Sequence, residues 1–254
     1  MTVVGRRFFL SSFLVFAFAF RIGAADANHG ARVTQLVREV SLLPVDAAAR
    51  RAILDEIVPE TSAVKTGGDS RAELTFTDLT ITRLGANSLY TFKKAGRRVE
   101  LKSGSILLRV PKDSGGATIL SPGVTVGITG TTVIFENARG GGARLTVLEG
   151  TARLSLVVAR DQQRDVAAGQ SLEVPPGARR LPEPKQIDLA ALMKTSPLIT
   201  GFRPLPSQNL INNAIRQQQQ QQQEQQRAPG NSNSRNTPQG PQNAPPPAPG
   251  PGPH

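Results

Sequence analysis

The sequence has no cysteine and no tryptophan, and it has only one tyrosine and two histidines in 254 residues. Without cysteine the chain forms no disulfide, offers no thiol nucleophile and builds no cysteine-ligated metal site. The histidines, His29 and His254, lie near the ends of the mature chain predicted below, where order is usually poor. A Ser-His-Asp triad or a His-ligated zinc needs a histidine inside the fold. We therefore expect a protein that is not an enzyme and has no cofactor.

The first 27 residues have the features of a secretory signal. Arg6 and Arg7 precede an apolar run of 13 residues that ends at Phe20, and cleavage is predicted between Ala27 and Asn28. The run is short for a transmembrane helix, which needs about 20 residues. The alternative is an uncleaved signal that tethers the protein to the membrane. The general secretory and twin-arginine routes both lead out of the cytoplasm, so we expect a periplasmic or envelope-associated protein.

The other end of the chain has little that can pack. Residues 216–254 consist mainly of Gln, Pro, Gly and Asn, which predicts a disordered, low-complexity tail. Residues 179–215 are predicted to form a connector with short helices, one over Ile187–Lys194 and one after Ser207, a plausible N-cap. The mature chain has 27 basic and 18 acidic residues, a net charge of +9.

Residues 28–178 show recurring alternation of period two between glycine-containing turns, which predicts one all-β domain with a β-sandwich or β-roll architecture. One segment, Pro44–Val58, has an alanine run typical of a helix, although an insertion between strands fits it as well. The apolar sets predicted to point inward are Ala72/Leu74/Phe76, Ile106/Leu108/Val110, Val124/Val126/Ile128, Leu145/Val147 and Leu154/Leu156/Val158.

The stretch "VGITGTTVIFEN", residues 126–137, is rich in glycine and threonine. A phosphate-binding loop of this kind needs a lysine and a following helix, and both are missing. The apolar residues are even-numbered up to Ile128 and odd-numbered from Val133, so the inward face shifts by one residue near Gly130. A bulge or a sharp corner at Gly130 explains this shift, and Gly130→Val is expected to damage folding.

The densest positive charge lies around an Ala95-Gly96 turn and comprises Lys93, Lys94, Arg97 and Arg98. It is either a contact for an anionic polymer or a solvated hairpin tip that keeps a sheet edge from pairing. The predicted export makes nucleic acid an unlikely partner. Carboxylates able to serve a glycan hydrolase are also present, but their spacing does not pair them: Asp69, Asp78, Glu100, Glu136 and Glu149.

Five blocks in order resemble the periplasmic FecR domain over about Thr61–Val174: "KTGGDSRAELTFTDLTITRLGANSLYTF", "VELKSGSILLRV", "SPGVTVGITGTTVIFEN", "LTVLEGTARLSL" and "DVAAGQSLEV". Two positions depart from the family pattern. Leu79 follows Asp78 where the family often has glycine, and Thr129 replaces an arginine before Gly130. The positions that carry the family's fold signature are Gly67, Asp78, Gly104, Gly130, Thr131, Gly150 and Gly169.

The resemblance implies a binding or scaffold module of the bacterial cell envelope that contacts an envelope protein or an anionic polymer. The alternatives are an accessory of cell-surface signalling that meets an outer-membrane receptor and, less favoured, a carboxylate-dependent glycan hydrolase. The family's regulators carry a cytoplasmic sigma-factor-binding segment before their membrane span. Only seven residues precede the apolar run in this sequence, so we do not expect that role.

Overall fold

A computed structural model describes residues 30–137 and 140–227 of the chain. The strands are β1 (Ala31–Val37), β2 (Val40–Leu43), β3 (Arg50–Arg51), β4 (Ile57–Val58), β5 (Ala63–Thr66), β6 (Arg71–Thr75), β7 (Ile81–Leu84), β8 (Leu89–Lys93), β9 (Arg98–Arg109), β10 (Ala117–Ser121), β11 (Val124–Ile128), β12 (Thr132–Asn137), β13 (Ala143–Glu149), β14 (Thr151–Leu156), β15 (Gln163–Ala167), β16 (Gln170–Val174) and β17 (Lys185–Gln186). The helices are α1 (Leu189–Thr195), α2 (Pro197–Thr200) and α3 (Gln208–Arg227), and a 3₁₀ turn spans Lys112–Ser114. The predicted all-β fold with a few short helices is confirmed.

The strands form two sheets that share one long strand. Sheet I has the order β17-β16-β13-β12-β9-β7-β6-β1-β4. Sheet II has the order β3-β2-β5-β8-β9-β10-β11-β14-β15. The first half of β9 pairs in sheet II and its second half pairs in sheet I. The two sheets therefore form a β-sandwich whose layers are joined through β9.

The shared strand changes sheet at Gly104. This glycine has φ +83°, a conformation that other residues adopt at a cost. A Cβ at Gly104 would also lie 2.8 Å from the carbonyl oxygen of Asn87. Several other signature glycines also lie where the chain passes between the sheets: Gly67, Gly130, Gly150 and Gly169.

The shift in the inward face near Gly130 is a corner between the sheets. β11 belongs to sheet II and β12 to sheet I, and Gly130 joins them with φ +59°. Ile128 before the corner and Val133 after it both lie in the core between the sheets. β11 and β12 lie in different layers, so the chain between them has to turn. At this turn the inward-facing residues change from even-numbered to odd-numbered.

The core between the sheets is mainly aliphatic, as the scarcity of aromatic residues requires. Phe76 and Phe92 meet edge to face with their centroids 4.9 Å apart, and the Tyr90 hydroxyl is hydrogen-bonded to Thr82 inside the core. Burial raises the pKa of Tyr90. The predicted inward sets lie in this core with one exception, because Val158 follows the end of β14 and is 74% exposed.

A third layer, made of the C-terminal helices, covers part of the outer face of sheet I. Its apolar cluster joins sheet residues to helix and connector residues: Leu107, Ile134, Leu148, Leu189, Leu198, Leu205 and Ile211. The buried Arg83 on β7 holds this layer in place. Its guanidinium pairs with Glu73 at 2.8 Å, donates to the carbonyl oxygens of Leu198 and Arg203, and stacks 4.8 Å from the ring centroid of Phe202. The connector is therefore an integral part of the fold.

The structure decides between the two interpretations of Pro44–Val58 and corrects the start of the predicted tail. Pro44–Val58 forms no helix, because β3 pairs with β2 and β4 pairs with β1, so sheet pairing overrides the helical preference of its alanines. At the other end, α3 extends through residues 216–227, which the sequence assigned to the tail. Glutamine is a good helix former, and Gln218 donates to the Ile187 carbonyl at 2.6 Å. The predicted signal, its cleavage between Ala27 and Asn28, and residues 228–254 lie outside the described residues.

The altered turn after Asp78 gives a first prediction. Leu79 has φ +64°, which is unfavourable for a residue with a Cβ, and its side chain is 65% exposed. Leu79→Gly is therefore expected to raise the free energy of unfolding by about 1 kcal/mol. Urea denaturation of the variant and of the wild type measures the difference. If the variant is less stable than the wild type, the exposed Leu79 side chain contributes more to stability than its left-handed backbone conformation costs.

Candidate functional site

The four basic residues around the Ala95-Gly96 turn do not act as one group. Arg97 is committed to the fold, because its guanidinium pairs with Asp78 at 3.2 Å and donates to the carbonyl oxygen of Gly116 at 3.0 Å. Asp78 in turn accepts from the backbone N–H of Thr80 at 2.9 Å. Arg97 therefore links two loops at one end of the sandwich, and Asp78 offsets part of its charge.

The other three side chains of the cluster face solvent on the outer side of the sandwich. Lys93, Lys94 and Arg98 are exposed, and they make no ion pair within residues 30–137 and 140–227. Lys93 and Arg98 are opposite each other on β8 and β9, so both point outward from sheet II. The fourth, Arg97, differs from this set because it is paired within the fold.

Strand register extends this pair into a row across sheet II. Arg98 is opposite Thr118, which is opposite Gly127, which is opposite Arg153, which is opposite Asp165. Neighbouring strands lie about 4.8 Å apart, so Arg98 and Arg153 are separated by about 14 Å. Side chains of residues in register point to the same face of a sheet. The row from Arg98 to Asp165 therefore forms the floor and the flanks of a single surface.

That surface is a shallow trough on sheet II with a volume of about 900 Å³. Its floor is open at Gly127, because a Cβ there would meet no atom within 4 Å. Lys94, Arg97 and Arg98 line one side of the trough, and Arg153 lines the other; Lys93 lies beside the lining, opposite Arg98. Arg153 is held by a bidentate ion pair to Asp165, with N–O distances of 2.7 and 2.9 Å. This ion pair lowers the pKa of Asp165 and raises that of Arg153.

Sequence reasoning missed Arg153, Thr118 and Gly127. They lie 20 or more residues from the basic turn, and only the sheet order brings them beside Arg98. The alternation of exposed Arg153 with buried Ala152 and Leu154 was a visible signal for an outward position. Nothing in the sequence indicated that β14 and β9 lie on the same face, separated by β10 and β11.

The remaining signature positions serve the fold. Thr131 is fully buried, and its hydroxyl donates to the carbonyl oxygens of Thr129 and Thr151 at 3.0 and 3.1 Å. These bonds tie the corner at Gly130 to the start of β14. Gly150 approaches the same corner, since a Cβ there would lie 3.0 Å from the Gly130 carbonyl oxygen.

Four of the five carboxylates considered for hydrolysis, all except the exposed Glu100, have partners in the fold. Asp69 pairs with Arg38 at 3.2 Å, and Glu136 pairs with Arg144 at 3.7 Å. Glu149 accepts from the hydroxyl of Thr132, and its burial raises its pKa. Among the described residues, no group of three or more His, Cys, Asp or Glu side chains is placed to hold a metal ion.

Residues 62–153 match the model of the family described as FecR protein, which confirms the resemblance found in the sequence blocks. Solved structures similar to the chain include two crystal structures, at 1.65 and 2.50 Å resolution, of a proposed anti-sigma factor from Parabacteroides distasonis. Each is 12% identical, with a TM-score of 0.44, over 52% of this chain and 65% or 64% of the other. The chain thus spans slightly less than two thirds of those structures. No curated protein matches it in sequence.

Within the described ranges, no helix is both long enough and apolar enough to cross a membrane.

Proposed function

We propose that this FecR-domain protein is an exported, non-enzymatic binding module of the cell envelope whose trough on sheet II contacts an acidic envelope polysaccharide. The FecR domain is typically periplasmic, and it fits a role at the cell surface. The observation that carries the proposal is the trough itself, where exposed cations flank a flat floor at Gly127.

The geometry of the trough favours a polymer over a small anion. Its cations are spread along a row of strands, so they match charges that repeat along a chain. The trough is open and shallow, and a site for a small ligand normally encloses most of the ligand's surface. Exposed charge pairs contribute little singly, about 0.2–1 kcal/mol each, so several together are needed for measurable affinity.

Neutralising Lys94 and Arg98, which line the trough, together with Lys93 beside them, to Gln tests the proposal. We expect affinity for polygalacturonate to fall about tenfold, since three contacts of that size are lost. The wild-type affinity is expected to fall steeply as salt is added, and the variant's affinity to change less. Binding is measured by biolayer interferometry over a series of salt concentrations. Equal affinities for the variant and the wild type would refute the proposal.

Two matched variants separate binding from folding. Gly127→Val puts a side chain on the floor of the trough, where there is space for it, so it is expected to fold normally and to bind the polymer weakly. Arg97→Gln breaks the contacts to Asp78 and Gly116 and is expected to lower stability, while its folded fraction keeps more affinity than the triple variant because Lys94 and Arg98 remain in the trough. If Arg97→Gln loses binding and Gly127→Val keeps it, the basic turn serves the fold and does not bind the polymer.

The second candidate function is an accessory role in cell-surface signalling, with an envelope receptor as partner. The FecR match favours it, because the resemblance to this family implies a role in cell-surface signalling. Crosslinking in intact cells followed by mass spectrometry distinguishes the two. Recovery of a receptor supports signalling, and recovery of cell-wall polysaccharide fragments without a receptor supports the envelope module.

A further inference from the structure

A groove opens between the two sheets at one end of the sandwich, and we call it the end groove. It has a volume of about 610 Å³. Sheet II contributes the turn before β11 and the end of β14, and sheet I contributes the start of β13 and the end of β16. The trough lies at the other end of β11 and β14, where Ile128 and Ala152 line it. The end groove and the trough therefore share no lining residue.

The inner wall of the end groove belongs to the core of the sandwich. Val124, Leu156 and Val174 line it from the two sheets, and each of them is at most 4% exposed. The groove therefore reaches the apolar side chains that lie between the layers. Its volume is within the range of about 300–1,000 Å³ that is typical of sites for small ligands.

Three tight turns frame the mouth of the end groove. A two-residue turn that ends at Gly123 joins β10 to β11. In the second turn the backbone N–H of Gln162 donates to the Ala159 carbonyl oxygen at 2.9 Å, and in the third that of Ala178 donates to the Pro175 carbonyl oxygen at 3.3 Å. An added Cβ at Gly123 would meet no atom within 4 Å, so the space beside this turn is open. Because short turns hold the mouth, the opening is preformed.

The lining of the end groove has one charged side chain and no other polar side chain. Every lining residue except Arg179 is Gly, Ala, Val, Leu or Pro. Val158 at the mouth is 74% exposed, so apolar surface continues from the core out to solvent. A ligand that matches this lining is apolar along most of its length.

The charge at the mouth is positive. Arg179 and its neighbour Arg180 are exposed, and neither makes an ion pair within residues 30–137 and 140–227. No carboxylate lines the groove. Asp161 lies in the second turn but outside the lining, and it accepts from the side-chain amide of Gln162 at 3.3 Å. Charge complementarity therefore favours a ligand with an anionic group at the end of an apolar chain.

Two other ligand classes fit the end groove less well. An extended peptide needs partners for its backbone N–H and C=O groups, and a polysaccharide needs partners for its hydroxyl groups. Among side chains the lining offers only Arg179 for these contacts. Burying such polar groups against Val and Leu side chains without partners is unfavourable.

We propose that the end groove binds a monomeric long-chain carboxylate, with its hydrocarbon chain against the inner wall and its carboxylate at Arg179. Burial of the hydrocarbon supplies most of the affinity, and the contact with Arg179 fixes which end of the ligand faces solvent. This site goes beyond the proposed function, because it lies away from the trough and takes a different class of ligand.

A chain-length series tests the proposal by isothermal titration calorimetry on the full chain. Decanoate, dodecanoate and tetradecanoate are titrated below their critical micelle concentrations. Each step adds two methylene groups, so the affinity is expected to rise about tenfold per step while the chain still fits. Dodecyltrimethylammonium, which has a hydrocarbon chain of similar length and the opposite charge, is expected to bind about tenfold more weakly than dodecanoate.

Two pairs of matched variants locate the site. Val158→Glu places a carboxylate at the mouth, and Val157→Glu makes the same change at the adjacent exposed residue outside the lining. Arg179→Gln removes the lining cation, and Arg180→Gln removes its neighbour outside the lining. We expect dodecanoate affinity to fall about tenfold in Val158→Glu and about threefold in Arg179→Gln, and to stay unchanged in the two controls. All four positions are exposed, so each variant should keep the wild-type melting temperature.

The absence of tryptophan allows a second readout. Val158→Trp places a single tryptophan at the mouth, and Val157→Trp places it outside the lining. Dodecanoate that carries a bromine next to its carboxylate quenches tryptophan fluorescence on contact. We expect it to quench Val158→Trp more strongly than Val157→Trp.

Four results would overturn the proposal. Two are equal dodecanoate affinity in Val158→Glu and Val157→Glu, and equal affinity for dodecanoate and dodecyltrimethylammonium. The third is binding to phosphatidylglycerol vesicles that Val158→Glu abolishes, without binding of monomeric dodecanoate, which would assign the mouth to a bilayer surface. The fourth is a dimer that Val158→Glu dissociates, which would assign the mouth to a second copy of the chain.

A competition experiment separates this site from the trough. Polygalacturonate is expected to bind together with dodecanoate, and displacement of one by the other would refute two separate sites. If the polymer does not bind and dodecanoate does, the proposed function fails and the end groove remains a binding site.

Discussion

Gly130→Val is expected to destabilise the protein by at least about 3 kcal/mol, a large part of the 5–15 kcal/mol that holds a typical domain together. The left-handed conformation of Gly130 costs a β-branched residue about 1–2 kcal/mol. A Cβ there would also lie 2.8 Å from the backbone Cα of Lys112, and relieving that overlap costs about as much again. Chemical denaturation followed by circular dichroism measures the loss.

Gly127→Val is the matched control for this change. It introduces the same side chain three residues earlier, in the middle of β11, where a Cβ meets nothing within 4 Å. Valine favours strands, so the variant is expected to be as stable as the wild type or slightly more stable. Equal stability of Gly130→Val and Gly127→Val would show that the corner between the sheets does not need glycine.

Arg83→Met is expected to cost about 3–5 kcal/mol, because it leaves the carboxylate of Glu73 buried without its cation. The remaining partner of that carboxylate is the hydroxyl of Thr34 at 2.9 Å. The substitution also removes the contacts to Leu198, Arg203 and Phe202, so the C-terminal layer should detach before the sandwich unfolds. Limited proteolysis is expected to cut first between α1 and α3.

The double variant Glu73→Met, Arg83→Met provides the control. Replacing both charges with apolar side chains removes the unpaired carboxylate, so most of the lost stability should return. The contacts to the C-terminal layer stay broken, and the early proteolytic cut should persist. A single variant that loses less than about 1 kcal/mol would mean that water reaches Glu73 when Arg83 is absent.

Much of the sandwich was predictable because its strands obey simple local rules. Alternation in residues 72–76 and 106–110 identifies the inward face, and the parity change locates the corner at Gly130. The third layer was not predictable in the same way. Leu107 and Ile134 are apolar on the outer face, which indicates that something covers them, but no local pattern names the covering element.

The Gln tract shows why composition alone was insufficient. A run of glutamines has no apolar face, so it resembles a disordered tail. The helix begins earlier, where Ile211 is buried, and it propagates at little cost once started. Gln218 then fastens it to the connector through Ile187. A contact between residues 31 positions apart is a tertiary event that no sequence window contains.

The candidate site was only partly predictable, because part of it also depends on tertiary contacts. Lys93, Lys94 and Arg98 are neighbours in sequence, and hairpin geometry alone places them together. Arg97 forms an ion pair with Asp78, and Arg153 lines the far side of the trough. Both require the order of the strands in sheet II, which follows from how the whole chain packs.

The strand shared by both sheets has a mechanical consequence. Arg98 pairs in sheet II and Ser105 pairs in sheet I, and both are on β9, seven residues apart. A pulling force applied between the two sheets is therefore carried along one continuous backbone. The layers cannot slide apart while β9 stays intact, so β9 passes any load on one sheet to the other.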